Sequence, residues 1–450
     1  MTATLTPPPP PASTPPSPRT AGRTTRTPKP VLIELRRGLG PWTGAAVLLT
    51  ILVTMYGKAP GWQGRWADAT NMLHVTTGML VGPLALAAGC WQGGRDRRRG
   101  TLDLWESAPR SPLRRLFVAV APSALWPAAG VLLGDAVCLL ATWPYASGGR
   151  PFLELLAADA VAVAALGAIG HVVGRTVRWR LTAPLLGIIG YVGLGIGAYS
   201  HQPVRWLSPA SEHQFLWDRP VWWFGPVSMA WTAGLALTAL LAYGLRRARL
   251  RPLALVPLAV AVAAAALILR LPTDEGPWRP DPALARPLCD DGTPQVCLTA
   301  VDERLLPEVS AALAPLNARL KGLPGAPVRW VGGPFGPARP GDVELPDAAA
   351  DAVRGRLPHP DLYLNSAVSW LFSDTCEPGD GTGRDAERAS IINLAVIEWL
   401  APTPLGYGPD PTVVRPYIDR LRAKSPAAQR DYLGRYLAAN TCHPDEVPVP

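Results

Sequence analysis

The sequence predicts an all-α polytopic membrane bundle of about seven transmembrane helices, joined to a C-terminal α+β domain that lies outside the cytoplasm. Three observations predict it. Apolar residues make up 48% of the chain and charged residues only 17%, against about 25% charged in a soluble domain. The apolar residues gather in runs near the length a bilayer demands, about 20 per helix. The charge divides by position: residues 1–270 hold 26 Lys/Arg against 10 Asp/Glu, and residues 271–450 hold 17 against 24. Such asymmetry points to two environments. The basic residues sit in short clusters between apolar spans, which fits topology signals rather than nucleic-acid binding.

Residues 1–30 are rich in Pro, Thr, Ser and Ala and carry Arg19, Arg23, Arg26 and Lys29. That composition cannot bury a core and reads as a disordered basic tail. It has no apolar core of a signal peptide. Residues 31–40 set Val31, Leu32, Leu35 and Leu39 opposite Arg36 and Arg37, the pattern of a short helix lying in the membrane interface. The membrane domain occupies 41–270. Its spans are expected near 42–57, 71–92, 116–142, 153–174, 181–199, 225–245 and 252–270, the last two being the least secure as crossings.

Loop charges orient the bundle. The N-terminal tail and the loops at 93–115, 175–180 and 246–251 hold 20 Lys/Arg, and the alternate loops with the last boundary hold six. The positive-inside rule then places the N-terminus in the cytoplasm and residues 271–450 outside. Trp62, Trp66, Trp143, Tyr145, Tyr199, Trp206, Trp217, Trp222 and Trp223 crowd the expected outer boundaries, as an aromatic belt does. The competing reading of 200–224 is a short outer helix forming a lid.

The cysteines agree with this orientation. Cys90 and Cys138 fall inside apolar spans, where cysteine packs as a small hydrophobe. Cys289, Cys297, Cys376 and Cys442 fall in the acidic C-terminal domain. An even number there favours two disulfides, which persist outside the cytoplasm, with three connectivities open. Zinc is the alternative, but no CxxC or His-x-x-x-His spacing supports it. The same domain is expected to hold strands at 295–300 and 327–332 and helices at 302–321, 385–402, 412–423 and 427–439. On the first helix Leu305, Leu306, Val309, Leu313 and Leu316 share a face. His359-Pro-Asp361 and His443-Pro-Asp445 read as turn chemistry rather than as a metal site.

Within the spans three polar residues stand out. Asp135 and Asp159 lie about 10 Å below the outer boundary at 1.5 Å per residue, and His74 enters near the outer end of the second span. Charged groups at depth are expensive and face a bundle interior or a wet cavity. They are candidates for a cation-binding or gating site; the plainer alternative is a neutral or snorkelling carboxyl.

The loop GRDRRRGTLDLWESAPRSPLRRL (94–116) is the most informative segment. Leu102, Leu104 and Trp105 form apolar contacts beside Asp103 and Glu106, between Gly100 and the Pro109/Pro112 stop. A short helix of this kind suits docking in the groove of a cytoplasmic partner. Over residues 31–250 the chain resembles the permease subunits of type-2 ATP-binding-cassette (ABC) exporters. The resemblance rests on Gly100, Thr101, Leu102, Asp103 and Leu104, then Pro109, Arg110 and Ser111, preceded by the interfacial helix. It departs where arginines 97–99 replace the family's glutamate, where Trp105 replaces an aliphatic residue, and in the C-terminal domain, which has no counterpart there.

The resemblance implies that Gly100, Thr101, Leu102, Asp103, Leu104, Trp105 and Glu106 form the coupling element seated in an ATPase subunit. The chain contains no GxxxxGK[ST] phosphate loop, so it is not expected to hydrolyse ATP itself; no HExxH or GxSxG motif occurs either, though a dispersed catalytic set would leave no linear trace. ATP and magnesium would belong to a partner ATPase, and a second permease half, identical or homologous, would complete the unit. The expected location is a bacterial cytoplasmic membrane, with lipid rather than nucleic acid as surroundings. Two alternatives are a membrane-anchored extracytoplasmic binding or sensing protein and a membrane enzyme with its site in the outer domain.

Overall fold

The computed structural model describes residues 30–36, 38–101, 111–213, 217–245, 248–272, 276–333, 339–372, 384–401, 403, 411–439 and 446–450. Its membrane half is built of α1 (Pro30–Arg36), α2 (Gly40–Gly57), α3 (Trp66–Gly93), the short α4 (Arg95–Arg98), α5 (Pro112–Thr142), α6 (Leu153–Thr176), α7 (Thr182–Ala198), α8 (Phe224–Gly244) and α9 (Leu255–Ile268). Among the described residues six helices are long and apolar enough to cross a membrane: α2, α3, α5, α6, α8, and Arg249–Ile268, which continues α9 back through a 3₁₀ turn. The expected seventh, α7, has 17 residues. At 1.5 Å per residue it is about 26 Å long, at the lower edge of what spans a bilayer.

Small residues let these helices approach. A Cβ on Gly89 or Gly93 of α3 would overlap the carbonyls of Gly167 or His171 in α6, and a Cβ on Gly174 would overlap that of Cys90. Close backbone contact of this type is how helices associate where no hydrophobic drive exists between them. Helix α3 carries one π turn at Thr77–Val81. Its start at Trp66, five residues earlier than the hydropathy run, lies under the C-terminal domain rather than in an apolar layer.

Paired residues give the directions. Gly40 meets Trp126 and Ile51 meets Gly134, so α2 and α5 run together; His74 meets Asp159 and Gly93 meets His171, so α3 and α6 do. Helix α7 runs against α3, with Gly187 beside Ala87 and Gly195 beside Met79. The described parts of the chain turns, 58–65, 143–152, 199–213, 217–223, 269–272 and 276–282, therefore share one end of the bundle. The opposite end holds α1, tied by Arg95 to Glu34 (2.5 Å) and by Trp126 Nε1 donating to the Leu35 carbonyl (2.8 Å).

The C-terminal half sits on the first end. Strand β1 (Asp218–Pro220) pairs antiparallel with β2 (Trp278–Pro280) and ties the α7–α8 loop to the chain leaving α9. After α10 (Pro282–Ala285) comes a sheet in the order β3 (Pro287–Cys289), β4 (Gln295–Thr299), β5 (Arg329–Val331), β6 (Asp342–Glu344), its first pair antiparallel and the others parallel. The β4–β5 crossover is α11 (Leu306–Leu320). Helices α12 (Pro360–Leu371), α13 (Arg384–Leu400), α14 (Pro411–Ala423) and α15 (Pro426–Ala438) complete the domain. Leu305, Val309, Leu313 and Leu316, expected as one face, are buried there with Trp330, Tyr363, Ile392 and Tyr432.

Several expectations change. The helix near 302 begins at Leu306, preceded by a 3₁₀ turn over Ala300–Leu305. Helix α12 and strands β3 and β6 were not expected; α12 opens at His359-Pro-Asp361, so that tripeptide starts a helix. The aromatic belt is only partly outward: Trp143, Tyr199 and Trp222 are exposed, but Trp62 and Trp206 are buried. Trp62 donates to the Met55 carbonyl at 2.7 Å, and Trp206 packs with Phe152, Phe224, Ile268 and Trp278. Among its described residues the 200–224 segment forms no α-helical lid; it makes a 3₁₀ turn at Pro203–Leu207 and, further on, β1. Cys289 is bonded to Cys297 across the β3–β4 pair. Cys376 and Cys442 lie outside the described residues, as does His443-Pro-Asp445.

Candidate functional site

Of the three polar residues singled out in the apolar spans, two are in contact and the third, from another helix, lies within electrostatic reach of them. Close packing of α3 on α6 brings His74 to Asp159, with Nδ1 donating to the carboxylate at 2.8 and 2.9 Å. Both side chains are buried. Asp135 of α5 lies near enough for its carboxyl to act electrostatically on Asp159. Both Asp135 oxygens are buried without a hydrogen-bond partner among the described residues. The Thr77 hydroxyl, at the start of the π turn three residues from His74, is likewise unpartnered. The same helices bury a hydrophobic cluster that includes Ile51, Met55, Leu73, Val131, Leu156 and Val163.

The chemistry of this arrangement is asymmetric. Asp159 has a donor and His74 an acceptor, so that pair is satisfied. An unpaired buried carboxylate is costly, and such groups neutralise or find a counter-charge. Asp135 is thus the member of the group that lacks a partner among the described residues. A π turn beside such a group is a common feature of functional positions in helices. No cluster of three or more His, Cys, Asp or Glu suited to a metal ion occurs among the described residues.

A second polar group lies towards the other end of α3 and α6, and its members were not singled out by sequence. The Ser123 hydroxyl donates to Gln92 Oε1 (3.1 Å) and accepts from His171 Nδ1 (3.0 Å). His171 Nε2 and Gln92 Nε2 have no partner among the described residues. Beyond them Arg175 meets Asp96 at 3.3 Å. Only the depth of His171 in an apolar run could have marked it, since Ser123 is 48 residues away.

A third group joins the bundle to the C-terminal domain. Arg65, at the head of α3, donates from Nε to Asp302 Oδ1 at 2.6 Å and from Nη2 to Asp347 Oδ1 at 2.8 Å. Burial opposes its charge, but Asp302, Asp347 and Asp68 outweigh that and hold the guanidinium above its usual range. Thr299 also donates to Asp302 at 3.1 Å. Further ties run from Arg304 to the Pro144 carbonyl (2.6 Å), from Arg354 to Gln63 (2.7 Å) and from Ser147 to the Val301 carbonyl. Beside Arg65 opens a cavity of about 320 Å³ lined by Asp68, Asn71, Phe152, Glu212, His213 and Trp278. His213 stacks on Trp278 with ring centroids 4.3 Å apart and pairs with Asp218 at 2.8 Å.

Of the loop expected to couple to a partner, Gly100 and Thr101 are described, and Leu102, Asp103, Leu104, Trp105 and Glu106 lie outside the described residues. Gly100 adopts φ +66°, a left-handed turn suited to glycine. Thr101 donates its amide to the Asp96 carbonyl at 3.0 Å. On the far side the Ser111 hydroxyl caps α5 by accepting from the Arg114 amide. Arg97 binds the Val177 carbonyl at 2.7 Å and also that of Arg175. Both ends of the loop are thus fixed at the bundle end that carries α1.

No protein-family model, no curated protein and no solved structure matches this chain.

Proposed function

We propose that this chain is the membrane-spanning permease subunit of an ABC-type exporter, worked by a separate ATPase that docks on the basic end of the bundle. The observation that carries the reading is the Gly100-Thr101-Leu102-Asp103-Leu104 run followed by Pro109, in a loop whose flanks are anchored at Asp96 and Ser111. A coupling element has to pass force into helices. This loop leads directly into α5 and, through Arg97 and Arg95, leans on α6 and α1.

In this reading the basic end is cytoplasmic and the domain with the Cys289–Cys297 bond is extracytoplasmic, where disulfides last. Seven crossings, α7 included, connect the two. The His74–Asp159–Asp135 group is then a gate or cation-responsive element on the cargo path. The chain supplies no phosphate loop, so hydrolysis falls to the partner, and a second permease half completes the path.

The test is affinity purification of the full chain in mild detergent, beside a Leu102→Glu, Leu104→Glu variant. Retention of an ATPase by the wild type and its loss from the variant is the expected result. Absence of any phosphate-loop protein, under conditions that keep other membrane complexes intact, would remove the reading.

One observation favours a second reading, a membrane-anchored binding protein. The C-terminal domain has a cleft of about 840 Å³ lined among the described residues by Leu316, Arg319, Arg356, Leu357, Asp361 and Leu364. That volume suits a small ligand. Ligand binding without an associated ATPase would favour it.

A further inference from the structure

We propose that the basic end of the bundle carries a phosphate site for an anionic phospholipid at the start of α7. The inference needs only that the apolar helices lie in a bilayer, and it stands apart from the exporter reading. A cleft of about 40 Å³ opens there, lined by Trp91, Arg97, Arg98, Arg178, Arg180 and Thr182. A water needs about 10–15 Å³ measured in this way, so the cleft has room for a phosphate group.

The cleft is built for an anion. Arg178 and Arg180 are exposed and have no ion-pair or hydrogen-bond partner among the described residues. Arg97 is held in place by the Val177 and Arg175 carbonyls, and Arg98 lies over the Trp91 ring at 4.2 Å. The nearby acid, Asp96, is taken by Arg175 and Arg95. The positive charge is therefore uncompensated. Burial holds the Arg98 guanidinium below its usual value, Cys90 opposes that, and Arg180, Arg99 and Arg97 add repulsion in the same direction as burial.

Two further features converge on the same spot. The Thr182 hydroxyl is buried and lacks a partner among the described residues. It sits at the first residue of α7, the end of the helix whose dipole favours an anion.

The surroundings identify the anion as lipid. Trp91 and Trp179 are 44% and 59% exposed, as aromatic residues at a headgroup layer are. Below them the flanks of the α3–α7 contact are apolar, with Leu84, Leu185 and Ile188 exposed on either side of the close approach of Gly187 to Ala87. Acyl chains follow those flanks while the phosphate rests among the arginines. Basic pockets between helices at the cytoplasmic face take anionic headgroups in this way.

The experiment is native mass spectrometry of the full chain in detergent, titrated separately with phosphatidylglycerol, phosphatidylcholine and glycerol phosphate. Phosphatidylglycerol should be retained as a discrete adduct and phosphatidylcholine should not. Arg178→Ala with Arg180→Ala should weaken retention by about tenfold or more, and Thr182→Val should weaken it without changing charge. Arg249→Ala with Arg251→Ala, at the same end, should leave it unchanged; thermal melts of all variants confirm folding. Equal loss in the 249/251 variant would reduce the effect to diffuse charge and overturn the site. Equal retention of phosphatidylcholine, or displacement by glycerol phosphate at matched concentration, would overturn the lipid assignment.

Discussion

Arg65 and Asp302, 237 residues apart, meet at 2.5 Å where the bundle joins the C-terminal domain. One carboxylate of the domain is thereby desolvated against a cation from the head of α3, and Asp347 adds a second from the same domain at 2.8 Å. The pair is the most deeply buried ionic tie between domain and bundle among the described residues; beside it stand the β1–β2 pairing, the Arg219–Asp281 ion pair at 3.3 Å and single hydrogen bonds at Ser147, Arg304 and Arg354.

Substitution of Arg65 by Ala should loosen the domain. Removing one partner of a buried pair costs about 3–5 kcal/mol, since the other charge stays desolvated. Asp347→Asn should cost under about 1 kcal/mol, because that side chain is 52% exposed and water replaces the lost contact. Limited proteolysis in detergent measures the difference. Equal sensitivity in the two variants would show that the pair carries no docking energy.

Asp135 and Asp159 should respond oppositely to Leu. Asp159→Leu strips His74 Nδ1 of its acceptor and leaves a buried donor unsatisfied, at about 1–3 kcal/mol. Asp135→Leu removes a carboxyl that has no partner among the described residues and adds apolar surface beside Val131 and Val163, so the melting temperature should hold or rise. If Asp135 serves a gate, this stable variant loses transport. A large fall in stability for Asp135→Leu would mean that the carboxyl is partnered in the membrane.

The α3–α6 contact depends on the lack of side chains. Gly89→Ala forces a methyl onto the Gly167 carbonyl and should cost about 1–3 kcal/mol by overpacking. Gly193→Ala on α7 meets nothing within 4 Å and should be neutral, or stabilising by up to about 1 kcal/mol through helix propensity. Thermal melts of the two variants in the same detergent decide it, and a matched loss would contradict the packing.

The helices were legible because a bilayer imposes a length and a composition that hydropathy detects locally, so the ends of α5, α6 and α8 fall within a few residues of expectation. What hydropathy cannot detect is a partner. Trp62 and Trp206 carry the composition of an interfacial belt, yet each is buried by contacts from another part of the chain. Arg65 read as one stray outer charge, since Asp302 and Asp347 lie more than two hundred residues on. His74, Asp135 and Asp159 were conspicuous by depth alone. Their meeting depends on the rotation of three helices, which the even spread of apolar residues around each helix leaves open. Helix α12 was hidden by His359-Pro-Asp361, which reads as a turn and in fact opens a helix at Pro360.

The disulfide framework makes the last prediction. Four cysteines in the C-terminal domain allow three connectivities. The Cys289–Cys297 bond leaves one, Cys376–Cys442, if all four are paired. A non-reducing peptide map should recover both bonds, and only Cys90 and Cys138, both buried in the bundle, should take up maleimide, after unfolding. Cys289→Ser with Cys297→Ser opens a loop with a sequence separation of 8, worth about 2–3 kcal/mol in the chain-entropy account. The domain should therefore melt lower while the bundle keeps its own transition. Maleimide labelling of Cys376 or Cys442 in the folded, unreduced protein would refute the second bond. Labelling of Cys289 or Cys297 as well would withdraw the main chemical support for placing this domain outside the cytoplasm.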